Sequence, residues 1–256
     1  MSEPTEVGTA LLRTWALPEP GSSKQARGVV LMVGGSAGVP GAMLLAGEAA
    51  LRAGAGKLQV VTTDSVAGQM AVRIPEALVQ RADEGESGDI APSAADQIAE
   101  LAEAASAILL GPGIMQPQSA VDLLGAVVPS LREQAVVIDA LGSAYLTEDV
   151  TALHHLTGPA VLTLNPSEVA HTLGLDTEEV SDDPVSAAVE LARKSRAVVL
   201  FGGSEKIIAN PDGDTWRVTA GNPGLGVSGS GDVQGGIVTG LLARGAEAEQ
   251  AAVWGA

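Results

Sequence analysis

The chain has 256 residues, of which 46% are hydrophobic and only 2% aromatic, so its core must be built from Ala, Val, Leu and Ile. Its formal net charge of −17 argues against nucleic acid and anionic membranes as partners, because both require a basic surface. The absence of cysteine excludes disulfides, thiolate zinc sites and cysteine nucleophiles. The first residues lack the basic and apolar segments of a signal peptide, and no apolar run is long enough to span a bilayer. We therefore expect a soluble, cytoplasmic protein.

The first half of the chain predicts alternating strands and helices. Residues 1–27 are polar and contain several prolines, and we expect them to form an N-terminal arm with one helical turn. The run GVVLMVGG at 28–35 is typical of a buried parallel strand that ends in a glycine loop. A helix is predicted over 41–56, where helix propensity is high and glycines follow. Further strands are predicted at 57–63 and 106–113, and further helices at 92–105 and 119–133.

The second half continues the alternation. Strands are predicted at 135–142, at 159–168 (running into a turn) and at 197–206, and helices at 183–195, at 229–245 and from 247 onward. Residues 207–221 predict a hairpin, because apolar runs flank the turn residues Pro211, Asp212 and Gly213. Strands that alternate with helices indicate a parallel α/β sheet covered on both faces, here in one domain over 28–256. Ligands of such sheets bind outside the carboxyl ends of the strands.

The segment from Asn222 to Asp232 is the most informative part of the sequence. Gly229, Ser230 and Gly231 can expose successive backbone amides just before a helix. Those amides and the helix dipole together form a natural site for phosphate oxygens. Asp232 then lies at the helix start, where a carboxylate can accept a proton from an attacking hydroxyl. The alternative is that Asp232 only caps the helix.

A second candidate segment is Asn165-Pro-Ser-Glu168, at the exit of a predicted strand. Asn165 and Glu168, three residues apart, can hold hydrated Mg²⁺ or position phosphate-bound water, so that the contact to the metal is indirect. The alternative is a turn followed by a capping box, in which Asn165 or Ser167 caps a helix and Glu168 faces its dipole.

Two other strand exits carry weaker signals. The glycine loop at 34–41 favours either close backbone approach to a substrate or a simple tight turn, since it lacks both P-loop and GxGxxG spacing. Asp139 ends another predicted strand, where it can meet a ribose or substrate hydroxyl or cap the next helix.

Five segments occur in the order found in NAD(P)H-hydrate dehydratases, and the chain resembles that family over roughly residues 28–256. The segments are GVVLMVGGSAGVPGAMLLAGEAALRAGAGKLQVVT, ILLGPGI, VVIDA, VLTLNPSE and NPGLGVSGSGDVQGGIVTGLLARG. The resemblance implies a ribokinase-like three-layer α/β/α sandwich with a mostly parallel central sheet and no large lid. It also implies a reaction: ADP or ATP, with Mg²⁺, phosphorylates the hydroxyl of hydrated NADH or NADPH. Phosphate then leaves, and the dihydronicotinamide ring is restored.

The resemblance also implies roles for particular residues. Asp232 would be the base that acts on the substrate hydroxyl. The other implied sets are an anion hole of Gly229, Ser230 and Gly231, a substrate site lined by Ala42, Gly113 and Asn165, and a nucleotide site near Gly202, Gly203, Ser204 and Gly231. Members of the family often form tetramers, so a homo-oligomer is expected by resemblance.

Three stretches depart from the family pattern. A histidine-containing family stretch is replaced by Leu-Asn-Pro-Ser-Glu at 164–168, which is closer to the Asn-x-x-Glu magnesium motif of ribokinase-type sugar kinases. The family's Lys-Gly before the nucleotide loop is Phe201-Gly202, which removes a phosphate-facing cation, and the stretch at 139–144 is also altered. Two alternative functions are therefore a small-molecule or sugar kinase of the same fold and a nucleotide-binding module without catalysis. The family also continues with further helical sequence beyond a point like Trp254.

Overall fold

The structure is a computed structural model that describes residues 3–256. All ten strands of these residues belong to one sheet. Met1 and Ser2 lie outside the described residues. The strands are β1 (Thr5–Glu6), β2 (Val29–Val33), β3 (Lys57–Thr63), β4 (Ala77–Ala82), β5 (Ala107–Leu110), β6 (Ala135–Asp139), β7 (Ala160–Leu164), β8 (Val198–Phe201), β9 (Lys206–Ala209) and β10 (Thr215–Val218). The helices are α1 (Thr9–Thr14), α2 (Gly41–Ala53), α3 (Asp64–Arg73), α4 (Ala95–Ala102), α5 (Pro117–Val127), α6 (Ala144–Glu148), α7 (Pro166–Leu173), α8 (Thr177–Asp182), α9 (Pro184–Ser195), α10 (Ser230–Ala243) and α11 (Ala248–Gly255). None of these helices of residues 3–256 is long and apolar enough to cross a membrane.

The strand order is β1-β10-β9-β8-β7-β6-β5-β2-β3-β4. Every pairing is parallel except the two that β9 makes, with β8 and with β10. Because β9 alone runs against the others, its first residue lies at the edge of the sheet where the parallel strands end. That edge is where an α/β sheet binds its ligands.

Two apolar clusters cover the two faces of the sheet, as the period-two alternation of buried strand residues requires. Along β2, Leu31 and Val33 belong to one cluster, and Val30 and Met32 to the other. The first cluster includes buried residues of α4 to α9, and the second includes those of α2, α3, α10 and α11. The predicted three-layer α/β/α sandwich with a mostly parallel sheet is confirmed.

Most predicted elements are present, including the hairpin of β9 and β10 around Gly213. Six elements were not predicted: β1, α3, β4, α6, α7 and α8. β4 is an edge strand in which Ala82 is buried and the other residues are partly or fully exposed, so it lacks the apolar run that marks the inner strands. α7 begins at Pro166, directly after β7, so the strand predicted at 159–168 ends at Leu164.

The predicted N-terminal arm, from residue 3 onward, packs along the far edge of the sheet. β1 pairs with β10, and the Trp15 and Trp216 rings lie 5.9 Å apart. The Trp254 indole N–H donates to the Trp15 carbonyl at 2.9 Å. The arm therefore connects β10 to α11, while its separation from the domain at 28–256 stays a prediction.

Candidate active site

A cavity of about 400 Å³, here named the strand-end cavity, opens at the carboxyl ends of β6, β7 and β8 and at the start of α10. It is lined by Asp139, Ala140, Thr163, Leu164, Asn165, Pro166, Glu168, Gly202, Gly203, Lys206, Gly229, Ser230, Gly231, Asp232 and Gln234. The structure therefore brings together the predicted base, the predicted anion hole, the Asn165–Glu168 pair and three of the four predicted nucleotide residues.

The first turn of α10 is open toward this cavity. Its N-cap, Gly229, has φ of 91°, which favours glycine, and no side chain caps the helix. The Ser230 amide donates to the Val227 carbonyl at 3.2 Å, and the first helical bond runs from Val233 N to Gly229 O at 3.0 Å. The amides of Gly231 and Asp232 precede that bond, so they are the donors that a helix start leaves for an anion.

The start of α10 is held in place by close packing of α10 on α2. A Cβ atom added to Gly240 would lie 2.5 Å from the Ala50 carbonyl oxygen, and one added to Gly236 would collide with the Ala46 carbonyl. Only glycine at both positions lets the two helix backbones approach this closely. The close packing of α2 on α10 therefore fixes the position of the open start of α10 relative to the loop that joins β2 to α2.

Asp232 is half-buried in the first turn of α10. Burial raises the pKa of its carboxyl above the ordinary value of 3.8, because the charged form loses hydration. A higher pKa makes a carboxylate a stronger base, while the helix dipole favours its charge at this end. The position thus combines basicity with the neighbouring free amides.

α7 also begins at the cavity, but its start is closed by its own side chains. The Asn165 side chain accepts from the Glu168 amide at 3.0 Å, and the Glu168 carboxylate accepts from the Asn165 amide at 2.9 Å. This is the capping box that the sequence analysis gave as the alternative. Glu168 still lines the cavity, and burial raises its pKa against the lowering effect of its bonds with Asn165.

Asp139 lies beneath the cavity and is only 4% exposed. Its carboxylate accepts a hydrogen bond from the Thr163 hydroxyl at 2.7 Å. Burial raises the pKa of Asp139 to about 8, opposed by the Thr163 bond and reinforced by the charges of Glu168 and Asp232. The carboxyl is therefore largely neutral at pH 7.

The carboxyl groups of Asp139, Glu168 and Asp232 line the strand-end cavity, and carboxylate oxygens are ligands that Mg²⁺ prefers. Within residues 3–256, however, no three His, Cys, Asp or Glu side chains are grouped closely enough to hold one metal ion. A cation in this cavity would therefore need further ligands, such as water or a bound phosphate. Contact of Asn165 and Glu168 with Mg²⁺ through water stays a prediction.

A second cavity of about 520 Å³, here named the loop cavity, adjoins the first and shares Gly203, Lys206 and Ser230 with it. Its lining is Gly203, Ser204, Lys206, Thr219, Ala220, Gly221, Asn222, Pro223, Leu225, Gly226, Ser230 and Ala256. Sequence reasoning identified Gly203, Ser204 and the segment that begins at Asn222, but it missed Lys206 and residues 219–221. The position of Lys206 could have been found from the turn that reverses β9.

Ala42 and Gly113, the other predicted substrate residues, lie outside the linings of both cavities. They lie near each other at the ends of the loops after β2 and β5, since a Cβ added to Gly113 would be 3.1 Å from the Ala42 Cβ. Ala42 is 4% exposed. Both lie along the same edge of the sheet as the strand-end cavity, so their substrate role stays a prediction.

A sequence profile of the NAD(P)H-hydrate dehydratases matches residues 30–256. The chain belongs to the NAD(P)H-hydrate dehydratase family. It is 43% identical to the ADP-dependent (S)-NAD(P)H-hydrate dehydratase of Xanthomonas campestris, over 97% of this chain and 84% of that protein. It spans less than half the length of the bifunctional NAD(P)H-hydrate repair enzymes that it also matches.

Two solved structures extend the family assignment to the fold. The Bacillus subtilis ADP/ATP-dependent NAD(P)H-hydrate dehydratase, co-crystallized with ATP and Mg²⁺, is 28% identical with a TM-score of 0.81, over 100% of this chain and 86% of that one. A ribokinase-like protein from Enterococcus faecalis is 24% identical with a TM-score of 0.81, over 97% and 84% of the two chains. The predicted ribokinase-like fold is confirmed.

Proposed function

We propose that the chain dehydrates hydrated NADH or NADPH back to NADH or NADPH, with ADP or ATP as the phosphoryl donor. The observation that carries the proposal is the position of Asp232, a half-buried carboxylate beside two backbone amides that the helix leaves free. A base next to an anion site is what transfer of a phosphoryl group to a hydroxyl requires. Family membership then supplies the substrate.

The nucleotide is proposed to bind across the two cavities. Its adenosine lies in the loop cavity, against the residues after β10, and its phosphates reach the strand-end cavity past Gly203 and Ser230. The phosphoryl group to be transferred then lies at the amides of Gly231 and Asp232. The nicotinamide hydrate approaches from the neighbouring loops that carry Ala42 and Gly113.

The chain supplies the base for the first step of the reaction and the amides that bind phosphate. Asp232 accepts the proton of the substrate hydroxyl. At the same time the hydroxyl oxygen bonds to the terminal phosphorus of the nucleotide, and the bond between that phosphorus and the rest of the nucleotide breaks. The carbon–oxygen bond then breaks with phosphate as leaving group. The departing phosphate accepts a proton from the adjacent carbon, and the electron pair of that C–H bond restores the ring double bond. The free amides at the start of α10 stabilise phosphate charge throughout.

Bound Mg²⁺ would neutralise part of the phosphate charge. Glu168, with one carboxylate oxygen engaged in the capping box, would orient water around the ion through the other oxygen. Asp139, held neutral beneath them, adds no full negative charge at pH 7.

A small-molecule kinase is the second candidate, favoured by the Asn165–Glu168 pair in the strand-end cavity. The two functions give different products. The test is to incubate the protein with hydrated NADH, Mg²⁺ and either ADP or ATP, and to follow the absorbance of the dihydronicotinamide together with released phosphate. We expect the amount of restored dihydronicotinamide, measured by its absorbance, to equal the amount of released phosphate. A stable phosphorylated product would favour the kinase, and nucleotide binding without turnover would favour a binding module.

A further inference from the structure

Lys206 is the one basic residue among the described residues that line either cavity, and it lines both. The strand-end cavity also contains the carboxyl groups of Asp139, Glu168 and Asp232. A ligand with several negative charges would be repelled by the ionised members of that set. The only side-chain charge of opposite sign at the junction of the cavities is that of Lys206.

The reversed direction of β9 explains why this lysine is at the ligand edge. Lys206 is the first residue of β9 and pairs with Val218, the last residue of β10. A residue that begins a strand parallel to the others would lie at the opposite edge. Phe201, which ends β8, is 3% exposed and packs into the core, so it adds no polar group here.

Lys206 is available to an anionic ligand, because its ammonium is partly desolvated and forms no ion pair among residues 3–256. Its side chain is half-buried, and burial lowers its pKa because the ammonium loses hydration. None of the ion pairs found within residues 3–256 includes it. A partly desolvated ammonium without a counter-charge is costly, and a bound anion removes that cost.

We propose that Lys206 binds the phosphate chain of the nucleotide at the junction of the two cavities, next to Gly203 and Ser230. The phosphates there connect an adenosine in the loop cavity to the phosphoryl group beside Asp232. This assignment rests on the nucleotide use proposed above and adds to it the residue that positions the phosphates. Since ADP and ATP share those phosphates, Lys206 serves both.

The test compares Lys206→Met with Lys57→Met in the full-length chain. Lys57 is also a partly exposed lysine that begins a strand, but β3 is parallel, so Lys57 lies at the opposite edge. Binding of ADP is measured by calorimetry, and binding of adenosine by ligand-observed NMR. We expect Lys206→Met to weaken ADP binding by about 10- to 100-fold, as for the loss of a hydrogen bond between charged groups. Adenosine binding should not change, and Lys57→Met should bind both ligands as the unsubstituted chain does.

Lys206→Arg separates charge from shape, and it should recover part of the ADP affinity because it restores the cation. Unchanged ADP affinity in Lys206→Met would overturn the assignment, and so would an equal loss of ADP and adenosine binding, which indicates a structural defect. The two proposals can fail separately. Lysine-dependent ADP binding without restored NADH leaves Lys206 assigned and rejects the dehydratase, whereas turnover with lysine-independent ADP binding does the reverse.

Discussion

Two helices begin at the strand-end cavity, and their first turns are built in opposite ways. The start of α7 is closed, because Asn165 and Glu168 satisfy each other's backbone amides. The start of α10 is open, because Gly229 has no side chain to cap it and the residues of its first turn line the cavity. A helix start that satisfies itself serves stability, whereas one left open is available to a ligand. Only the second therefore has the features of an anion site.

The largest effect is expected at the open start, from Asp232→Asn. Asn keeps the shape of the side chain and its capping ability but removes the basicity. If Asp232 accepts the hydroxyl proton, kcat should fall by about 10²- to 10⁴-fold. ADP affinity and the free energy of unfolding should change little. The measurements are steady-state kinetics, calorimetry and urea unfolding, and a variant with nearly full kcat would reduce Asp232 to a helix-capping residue.

The next effect concerns the packing that places the open start. Gly240→Ala brings a methyl group against the Ala50 carbonyl, so the helices must separate, and we expect a loss of about 1–3 kcal/mol in the free energy of unfolding. ADP affinity should fall as well, because the amides at Gly231 move with α10.

The matched control for Gly240→Ala is Gly68→Ala in α3, where an added Cβ meets nothing within 4 Å. That variant should gain about 0.5–1 kcal/mol, because alanine is the better helix residue. Equal stabilities for the two variants in urea unfolding would show that α2 and α10 separate without cost.

A third prediction uses Asp139, whose pKa responds to one carboxylate from each helix start. Between its ordinary value of 3.8 and the folded value of about 8, the folded protein holds a proton that the unfolded chain releases. Stability contributed by this group is therefore present at low pH and lost as the pH rises through that window. Asn stays neutral at all these pH values, so Asp139→Asn removes this pH dependence. The change that the substitution makes in the free energy of unfolding should therefore be more favourable at pH 8 than at pH 5, by on the order of 1–3 kcal/mol. Parallel urea titrations at the two pH values measure it, and an equal effect at both would contradict the raised pKa.

The smallest effects are expected at the closed start. Asn165→Ala removes the cap of α7 and should cost about 1 kcal/mol of folding stability. Glu168→Gln keeps an acceptor at the same position of the capping box, so stability should be retained. If Glu168 also orients metal-bound water, Glu168→Gln should raise the Mg²⁺ concentration needed for half-maximal turnover. A Mg²⁺ titration that matches the unsubstituted chain would assign Glu168 to capping alone.

The parts of the fold that follow from local pattern were predictable, and the parts that depend on long-range pairing were not. Continuous apolar runs identified β2, β5, β6, β7 and β8, because strands buried on both faces need them. The edge strand β4 carries no such run, and α7 was hidden because its capping sequence also suits a turn.

The candidate site divides in the same way. Asp232 and its glycines are neighbours in sequence, so a motif could reveal them. Lys206 reaches the cavity because β9 runs antiparallel to the other strands, and the pKa of Asp139 is raised mainly because the fold buries its carboxyl, with a smaller contribution from the charges of Glu168 and Asp232. The turn before β9 carries a sequence signal for the position of Lys206, whereas the residues next to Asp139 carry none for its raised pKa.

The outermost pairing of the sheet has a consequence for how the chain assembles. β1 lies beside β10, and Glu6 meets Arg217 across a separation of 211 residues. The ribosome releases the N-terminal strand long before its partner exists, so the interior strands must pair without it. Until residue 217 has emerged from the ribosome, β1 has no strand to pair with. Its backbone edge therefore stays open to other chains. Closure of this pair is therefore a late event in folding, and a variant that loosens it should aggregate during synthesis more than it loses activity once folded.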